Sequence, residues 1–215
     1  MGYDIYGISP TINRDYPERY NKIMKQYGDG QGWLKLGEDI PQEVKDEYFE
    51  IKDVYETDNP GAYFRNNVWF WRPLWQFVVE TCEDYMTVDE IDSGNSNSGH
   101  RISEETALYI AKQLSEKIAD GTVDKREREW ELKREKAKAH NKEVRAEMDK
   151  ITKECKDKFP IHADKLVPAN YPEPYNTQWQ EAYSKENWDA SYPFSKENIK
   201  DFATFCMQSG GFEIC

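Results

Sequence analysis

Residues 63–75, with the sequence YFRNNVWFWRPLW, hold six aromatic side chains, two arginines and two asparagines in thirteen positions. Aromatic side chains bury more area than others, so a block of this kind constrains where the core of the chain can form. Hydrophobic residues make up only 38% of the 215 residues, but aromatic residues reach 14%, and large rings can compensate for few aliphatic ones. We therefore expect a single domain spanning residues 1–215.

The spacing of apolar residues predicts a mainly α fold, α+β at most, of about seven helices. The segment GYDIYGISP near one end and the segment GGFEIC near the other contain alternating β-forming residues, which predict two strands in a small sheet near the termini. Helices are predicted to begin after Pro17, after Pro41 and after Ser103, because each of these start signals precedes apolar residues at helical spacing.

A charged antiparallel helical hairpin is predicted over residues 103–158. Its second helix carries an apolar residue at every seventh position, which gives the series Trp130, Ala137, Val144 and Ile151. Because this apolar seam is thin and has polar neighbours, packing within the chain is favoured. A homodimer through residues 124–158 remains an open alternative.

The net charge excludes several classes of partner. The chain has 29 Lys and Arg residues against 41 Asp and Glu residues, a formal charge of −12. Such a charge disfavours general nucleic-acid binding and binding to anionic membranes, and suits a basic protein partner. Residues 124–158 hold 13 basic and 10 acidic side chains, so the acidic excess lies on the rest of the chain.

The familiar motifs of metal and cofactor sites are missing from the sequence. Four cysteines occur singly, without a C-x-x-C pair, which indicates reduced thiols and no metal site. No phosphate loop, Rossmann glycine set or nucleophile elbow is present, so we expect no cofactor. No apolar run reaches about 18 residues, and no signal-peptide pattern begins the chain, so we expect a cytoplasmic protein without a membrane span.

Residues 63–75 also suggest a ligand site. The block is predicted to run extended into a helix that begins near Pro73. In an extended segment alternate side chains share a face, which would place two indoles beside an arginine and an amide. Such groups could stack a flat ring and bind its phosphate, which predicts a nucleotide-like ligand. The candidate ligand-binding residues are Arg65, Asn67, Trp69, Trp71 and Arg72. The structural alternative is that the rings build the core and the asparagines cap turns.

His100 is the candidate catalytic residue, because it follows a loop rich in Gly, Ser and Asn. A general base also needs an orienting carboxylate, for which Asp89, Glu90 and Asp92 are near in sequence. A surface or helix-entry histidine is the structural alternative. Asp4 in the first strand is expected to form an ion pair that joins the termini to residues 63–75.

Three blocks in this order carry a resemblance to a known family: GYDIYG, YFRNNVWFWRPLW, and YPFSKENIKDFATF followed by SGGFEIC. Together they resemble an uncharacterised family of small proteins encoded by bacteriophages and some bacteria. Some members of that family carry a cysteine-rich insert where this chain has its Lys- and Glu-rich helix. The resemblance implies an accessory phage product in the cytoplasm of a host bacterium, and it brings no activity, cofactor or catalytic residue.

These observations predict an accessory viral protein that acts by binding and inhibits host defence. It would neutralise either a nucleotide-type defence signal or a basic host protein. The alternative is a small hydrolase or transferase that acts on a nucleotide-like substrate with His100 as general base; a non-enzymatic protein is the preferred interpretation.

Overall fold

The computed structural model of the chain describes residues 2–30, 32–35, 39–96 and 98–215. Over these residues the fold is mainly α, with a small four-stranded antiparallel sheet near the termini, as predicted. The strands and α-helices follow one another as β1 (Gly2–Gly7), α1 (Glu18–Tyr27), α2 (Gln42–Asp58), β2 (Tyr63–Asn67), α3 (Val68–Cys82), α4 (Val88–Ser93), β3 (His100–Ile102), α5 (Glu104–Ala119), α6 (Thr122–Lys158), α7 (Tyr175–Tyr183), α8 (Lys196–Gln208) and β4 (Phe212–Ile214). Three short 3-10 helices cover Pro160–Lys165, Pro168–Asn170 and Trp188–Ser191.

The chain contains two compact units. Unit 1 consists of residues 1–122 and 196–215, and unit 2 consists of residues 123–195. The predicted hairpin over residues 103–158 is therefore split between the units. Helix α5 belongs to unit 1, where it packs along α8, and α6 belongs to unit 2 from its second residue onwards.

The apolar surface of α5 explains why it packs against α8. Ala107, Ile110, Ala111 and Leu114 are all fully buried on one face of α5. Opposite them, Phe202 and Cys206 of α8 are fully buried as well. A face of this width packs well against a globular core.

The sheet joins the two ends of the chain, as predicted. Its strand order is β2-β1-β4-β3, and every neighbouring pair is antiparallel. In this register Asp4 lies opposite Arg65, and Tyr6 lies opposite Glu213. The inner face of the sheet buries Ile5 and Ile214 completely, and α3, α5 and α8 complete the core of unit 1.

Helices α1 and α2 begin where their start signals predicted, and they share a smaller core. Tyr20, Ile23, Tyr48 and Ile51 form this cluster. The end of α2 is fixed by Asn59, whose fully buried side chain accepts hydrogen bonds from the backbone N–H groups of Asn13 (2.7 Å) and Arg14 (3.0 Å). Its amide group donates to the carbonyls of Arg14 and Tyr55, so all of its hydrogen-bonding capacity is used.

Helix α3 begins at Val68, five residues before the predicted start near Pro73. The side chain of Asn67 caps the helix by accepting hydrogen bonds from the backbone N–H groups of Trp69 (3.0 Å) and Phe70 (3.1 Å). Pro73 lies inside the helix, where it removes one backbone donor. The cap therefore decides the start of α3, and the extended segment ends at Asn67.

Unit 2 is built around the 37-residue helix α6 and the segment that returns along it. Ala137 and Val144 of the predicted seam are buried. Near the start of the helix, the Trp130 indole N–H donates a hydrogen bond of 2.6 Å to the Tyr192 carbonyl. Near its end, Cys155 packs with Leu166 and Tyr171. The seam thus packs within the chain, against residues that follow α6. Among the described residues, no helix is both long enough and apolar enough to cross a lipid bilayer.

Candidate functional site

The two candidate indoles lie on different sides of α3. The predicted alternation of side chains requires residues 63–71 to be extended, but the strand ends at Asn67 and the following residues are helical. Residues two apart on a helix do not share a face. Accordingly, Trp71 is 0% exposed whereas Trp69 is 41% exposed. The predicted face containing both indoles is not formed.

Trp71 is a core residue of unit 1. Its ring stacks on Tyr3 and Trp75, with centroid separations of 5.1 and 5.3 Å, and meets Phe202 edge-on at 5.6 Å. Its indole N–H donates a hydrogen bond of 2.7 Å to the carbonyl of Gly94. Trp71 is fully buried among these aromatic rings, so the alternative that this ring builds the core is the one observed.

The remaining candidate ligand residues are exposed on β2 and α3. Asn67 is the cap of α3. Arg72 is exposed one helical turn from Trp69, so these two side chains share one face of α3. Arg65 points to the outer face of the sheet, where its side chain is 71% exposed and its Nε lies 3.6 Å from Oδ1 of Asp4. This confirms the ion pair expected of Asp4.

The outer sheet face, formed by outward side chains of β1, β2 and β4, collects several ionisable groups. The Tyr63 hydroxyl donates to the Asp4 carboxylate, and the Tyr6 and Tyr63 rings lie 5.2 Å apart. Burial is the main cause of the raised pKa of Tyr6, Tyr63 and Cys215, and neighbouring carboxylates reinforce it. At neutral pH these groups are therefore uncharged, and they supply hydrogen bonds instead of a nucleophile.

His100 is not placed in a catalytic arrangement. It lies half-buried in the edge strand β3, opposite Ile214. In the described part of the chain its imidazole has no hydrogen-bond or ion-pair partner. Glu90, one of the expected orienting carboxylates, is already engaged: it accepts hydrogen bonds from Thr87 (2.8 Å to its N–H) and from the Thr106 hydroxyl (2.9 Å). The geometry therefore lends no support to His100 as a general base.

An acidic face on unit 1 is the feature that sequence reasoning missed. It consists of carboxylates from residues 83–92 and from the first turn of α5: Glu83, Asp84, Asp89, Glu90, Asp92, Glu104 and Glu105. The Tyr85 hydroxyl donates to Glu105 (2.7 Å) and the Tyr85 ring stacks on Tyr109 at 4.1 Å, which holds the two segments together. None of the seven carboxylates forms an ion pair with Lys or Arg within the described residues. The sequence signal was present, since no Lys or Arg occurs between Arg72 and Arg101.

The whole net charge of the chain lies in unit 1. Unit 1 has 14 Lys and Arg residues against 26 Asp and Glu residues, whereas unit 2 has 15 of each. Two apolar residues of the same segment, Val88 and Tyr85, are 72% and 40% exposed. The face therefore combines unpaired negative charge with exposed apolar groups.

Each unit also contains open cavities. The largest of those described, about 530 Å³, lies in unit 2 between α6 and the 3-10 helix Trp188–Ser191. A smaller cleft of about 240 Å³ lies in unit 1, between Arg14, Arg19 and Tyr55. Among the described residues, no group of three or more His, Cys, Asp or Glu side chains is arranged to hold a metal ion.

The chain matches no known protein-family model, no curated protein and no solved structure. Any function must therefore be inferred from the charges, contacts and cavities of this chain.

Proposed function

We propose that this chain is an accessory phage protein that acts in the cytoplasm of the host bacterium by binding a basic host protein through the acidic face of unit 1. The observation that carries the proposal is the uneven charge: unit 1 has a formal charge of −12 and unit 2 has none. A charge of this size on one compact unit attracts positively charged partners and speeds their association.

The acidic face is suited to a protein partner because its carboxylates are not already neutralised. Its seven acidic groups have no Lys or Arg partner among the described residues, whereas Arg14, Arg19 and Arg101 of the same unit are all paired with carboxylates outside the face. A basic partner would supply the missing counter-charges. Burial of the exposed Val88 and Tyr85 side chains in the complex would then add hydrophobic contact.

A protein partner is favoured over a nucleotide at residues 63–75. An enclosed nucleotide site there needs both indoles beside the arginines, and Trp71 is occupied by Tyr3, Trp75 and the carbonyl of Gly94. Trp69 and Arg72 lie on the exposed face of α3, away from the buried Trp71.

The proposal is tested by affinity capture from a lysate of host cells. A variant with Glu83→Gln, Asp84→Asn and Asp89→Asn removes three charges from the acidic face with little change in shape. The native chain is expected to retain one basic protein at moderate salt and to lose it at high salt, because salt screens exposed charges. The variant should retain that protein about tenfold less well, since three exposed charge pairs at about 0.5 kcal/mol each contribute about 1.5 kcal/mol.

A matched control removes the same charge elsewhere on unit 1. Glu43→Gln, Glu50→Gln and Asp53→Asn are exposed substitutions on α2, outside the acidic face. This control should capture the same protein as well as the native chain does. Equal losses in both variants, or capture that is insensitive to salt, would contradict a role for the acidic face.

A further inference from the structure

The α6 groove of unit 2 has the properties of a binding site for a small phosphorylated molecule. Four ionisable side chains of α6 form one wall, and the 3-10 helix Trp188–Ser191 forms the other. The groove is open to solvent and has a volume of about 530 Å³, within the range of small-molecule sites. The residues that line it and matter here are Lys138, Lys142, Arg145, Asp149, Ala190 and Ser191.

The walls of the groove are fixed by hydrogen bonds and an ion pair. The buried side chain of Asn141 accepts from the backbone N–H of Asn187 (2.8 Å) and donates to its carbonyl (2.9 Å). Lys133 and Asp189 form an ion pair at 2.9 Å, which holds the 3-10 helix from the other side. A ligand therefore meets a preformed cleft and does not have to order it, which favours affinity.

The cations of the groove are spaced along one face of α6. Lys138, Lys142 and Arg145 follow one another by four and three residues, so they lie side by side. Lys138 is already ion-paired with Glu135 (2.6 Å) and Glu131 (3.4 Å), which leaves Lys142 and Arg145 as the cations for a ligand. Lys142 has no ion-pair partner among the described residues. Arg145 is 69% exposed and uses its Nε for Glu186 at 3.0 Å, which leaves its terminal N–H groups for a ligand. Small side chains opposite, at Ala190 and Ser191, leave room for an anion.

We propose that this groove binds a sugar that carries a diphosphate, the unit shared by nucleoside diphosphates. The diphosphate lies on Lys142 and Arg145, which are about 4.5 Å apart along the helix axis at about 1.5 Å per residue. Asp149 is one further turn along the same face, where its carboxylate accepts hydrogen bonds from sugar hydroxyls, as acidic residues do for ribose. No aromatic ring is among the lining residues, so the base, if present, is not stacked in the groove.

This site goes beyond the proposed function, because it lies in unit 2 and the acidic face lies in unit 1. The two are therefore separable by experiment. The variant that neutralises Glu83, Asp84 and Asp89 should bind the phosphorylated ligand as the native chain does.

The test is isothermal titration calorimetry of the intact chain with ADP, inorganic pyrophosphate and adenosine at low and moderate salt. ADP and pyrophosphate should each bind one site, and adenosine should not bind. Lys142→Gln and Arg145→Gln should each weaken both ligands by about tenfold, as expected for a lost hydrogen bond to a charged group. Asp149→Asn should weaken ADP and leave pyrophosphate unchanged or bound more tightly.

Lys136→Gln is the matched control, since Lys136 is exposed on α6 but lies about 180° around the helix from Arg145 at about 100° per residue. It should bind both ligands as the native chain does. Absence of heat with ADP and pyrophosphate at millimolar concentration would overturn the proposal. So would equal weakening by Lys136→Gln and Lys142→Gln, which would indicate attraction by charge alone. If Asp149→Asn affected both ligands equally, the assignment of the sugar would be wrong.

Discussion

Trp71 contributes both apolar area and a hydrogen bond to the centre of unit 1. Its ring contacts three aromatic neighbours, and its N–H satisfies the carbonyl of Gly94. Position 94 requires glycine, because a methyl group there would overlap the indole of Trp75. The Trp75 indole N–H donates a hydrogen bond of 2.9 Å to the carbonyl of Ile91. The two indoles thus connect α3 to the chain around α4.

Substitution of the two nearby tryptophans should have very different effects on stability. We expect Trp71→Phe to lower the free energy of unfolding by about 2–3 kcal/mol, from a lost hydrogen bond and a cavity. Trp69→Phe, the matched change at an exposed position, should alter it by less than about 0.5 kcal/mol. Urea unfolding followed by circular dichroism measures both. Similar losses in the two variants would contradict the assignment of Trp71 to the core.

The sequence could not distinguish these two tryptophans, because the distinction depends on where α3 begins. Asn67 and Pro73 are both helix-start signals, and periodicity over such a short segment does not choose between them. The outcome depends on tertiary contacts, since Pro73 is accommodated inside a buried helix. An extended segment would have placed both rings on one face, and a helical one separates them.

At the scale of single elements, α2 contains a carboxyl group in an unfavourable setting. Burial is the main cause of the raised pKa of Glu56, and Lys52, 3.7 Å away, offsets it only in part. When the pKa of a carboxyl group is higher in the folded state than in the unfolded state, its protonated form stabilises the folded state. This stabilisation is lost as the pH rises through the folded-state pKa. Ionised Glu56 therefore opposes folding at neutral pH.

Glu56→Gln should accordingly raise the free energy of unfolding at pH 7, because glutamine imitates the protonated carboxyl. The difference from the native chain should shrink as the pH falls through the carboxyl range, where native Glu56 also becomes neutral. Thermal unfolding measured from pH 3 to pH 8 tests this. Glu50→Gln, an exposed change on the same helix, serves as control and should lack the same convergence. A stability difference for Glu56→Gln that is constant with pH would contradict the prediction.

Most elements with local start and stop signals were predictable. Helices α1, α2 and α5 follow Pro17, Pro41 and Ser103 as expected, since caps act within one turn. The helix against which each helix packs was not predictable, because the packing of α5 against α8 joins residues about a hundred positions apart in sequence. The terminal strands were predicted from alternation, whereas β3 is three residues long and has no such pattern.

For the whole molecule, the separation of charge between the units should appear in the response to salt. The acidic excess of unit 1 destabilises it through self-repulsion, and unit 2 carries equal numbers of both signs. Raising the salt from about 10 mM to about 150 mM shortens the Debye length from about 30 Å to about 8 Å, which screens this repulsion.

Hydrogen exchange of the intact chain, followed by mass spectrometry, measures the amide exchange rates of peptides from each unit separately. Peptides from α3 and α5 should exchange about fivefold more slowly at the higher salt, equivalent to about 1 kcal/mol. Peptides from α6 should change little, and they provide the internal reference for general effects of salt. Equal changes in both sets of peptides would show that self-repulsion in unit 1 is not the cause.

The strand order has a consequence for synthesis on the ribosome. β4 lies between β1 and β3 in the sheet, yet it is translated last of the four, after all of unit 2. The N-terminal part of unit 1 is therefore synthesised before its central strand exists, and its apolar sheet positions stay uncovered while residues 123–195 leave the ribosome. A nascent chain stalled before residue 212 would lack a central strand, and its uncovered apolar positions and unpaired strand edges would favour aggregation.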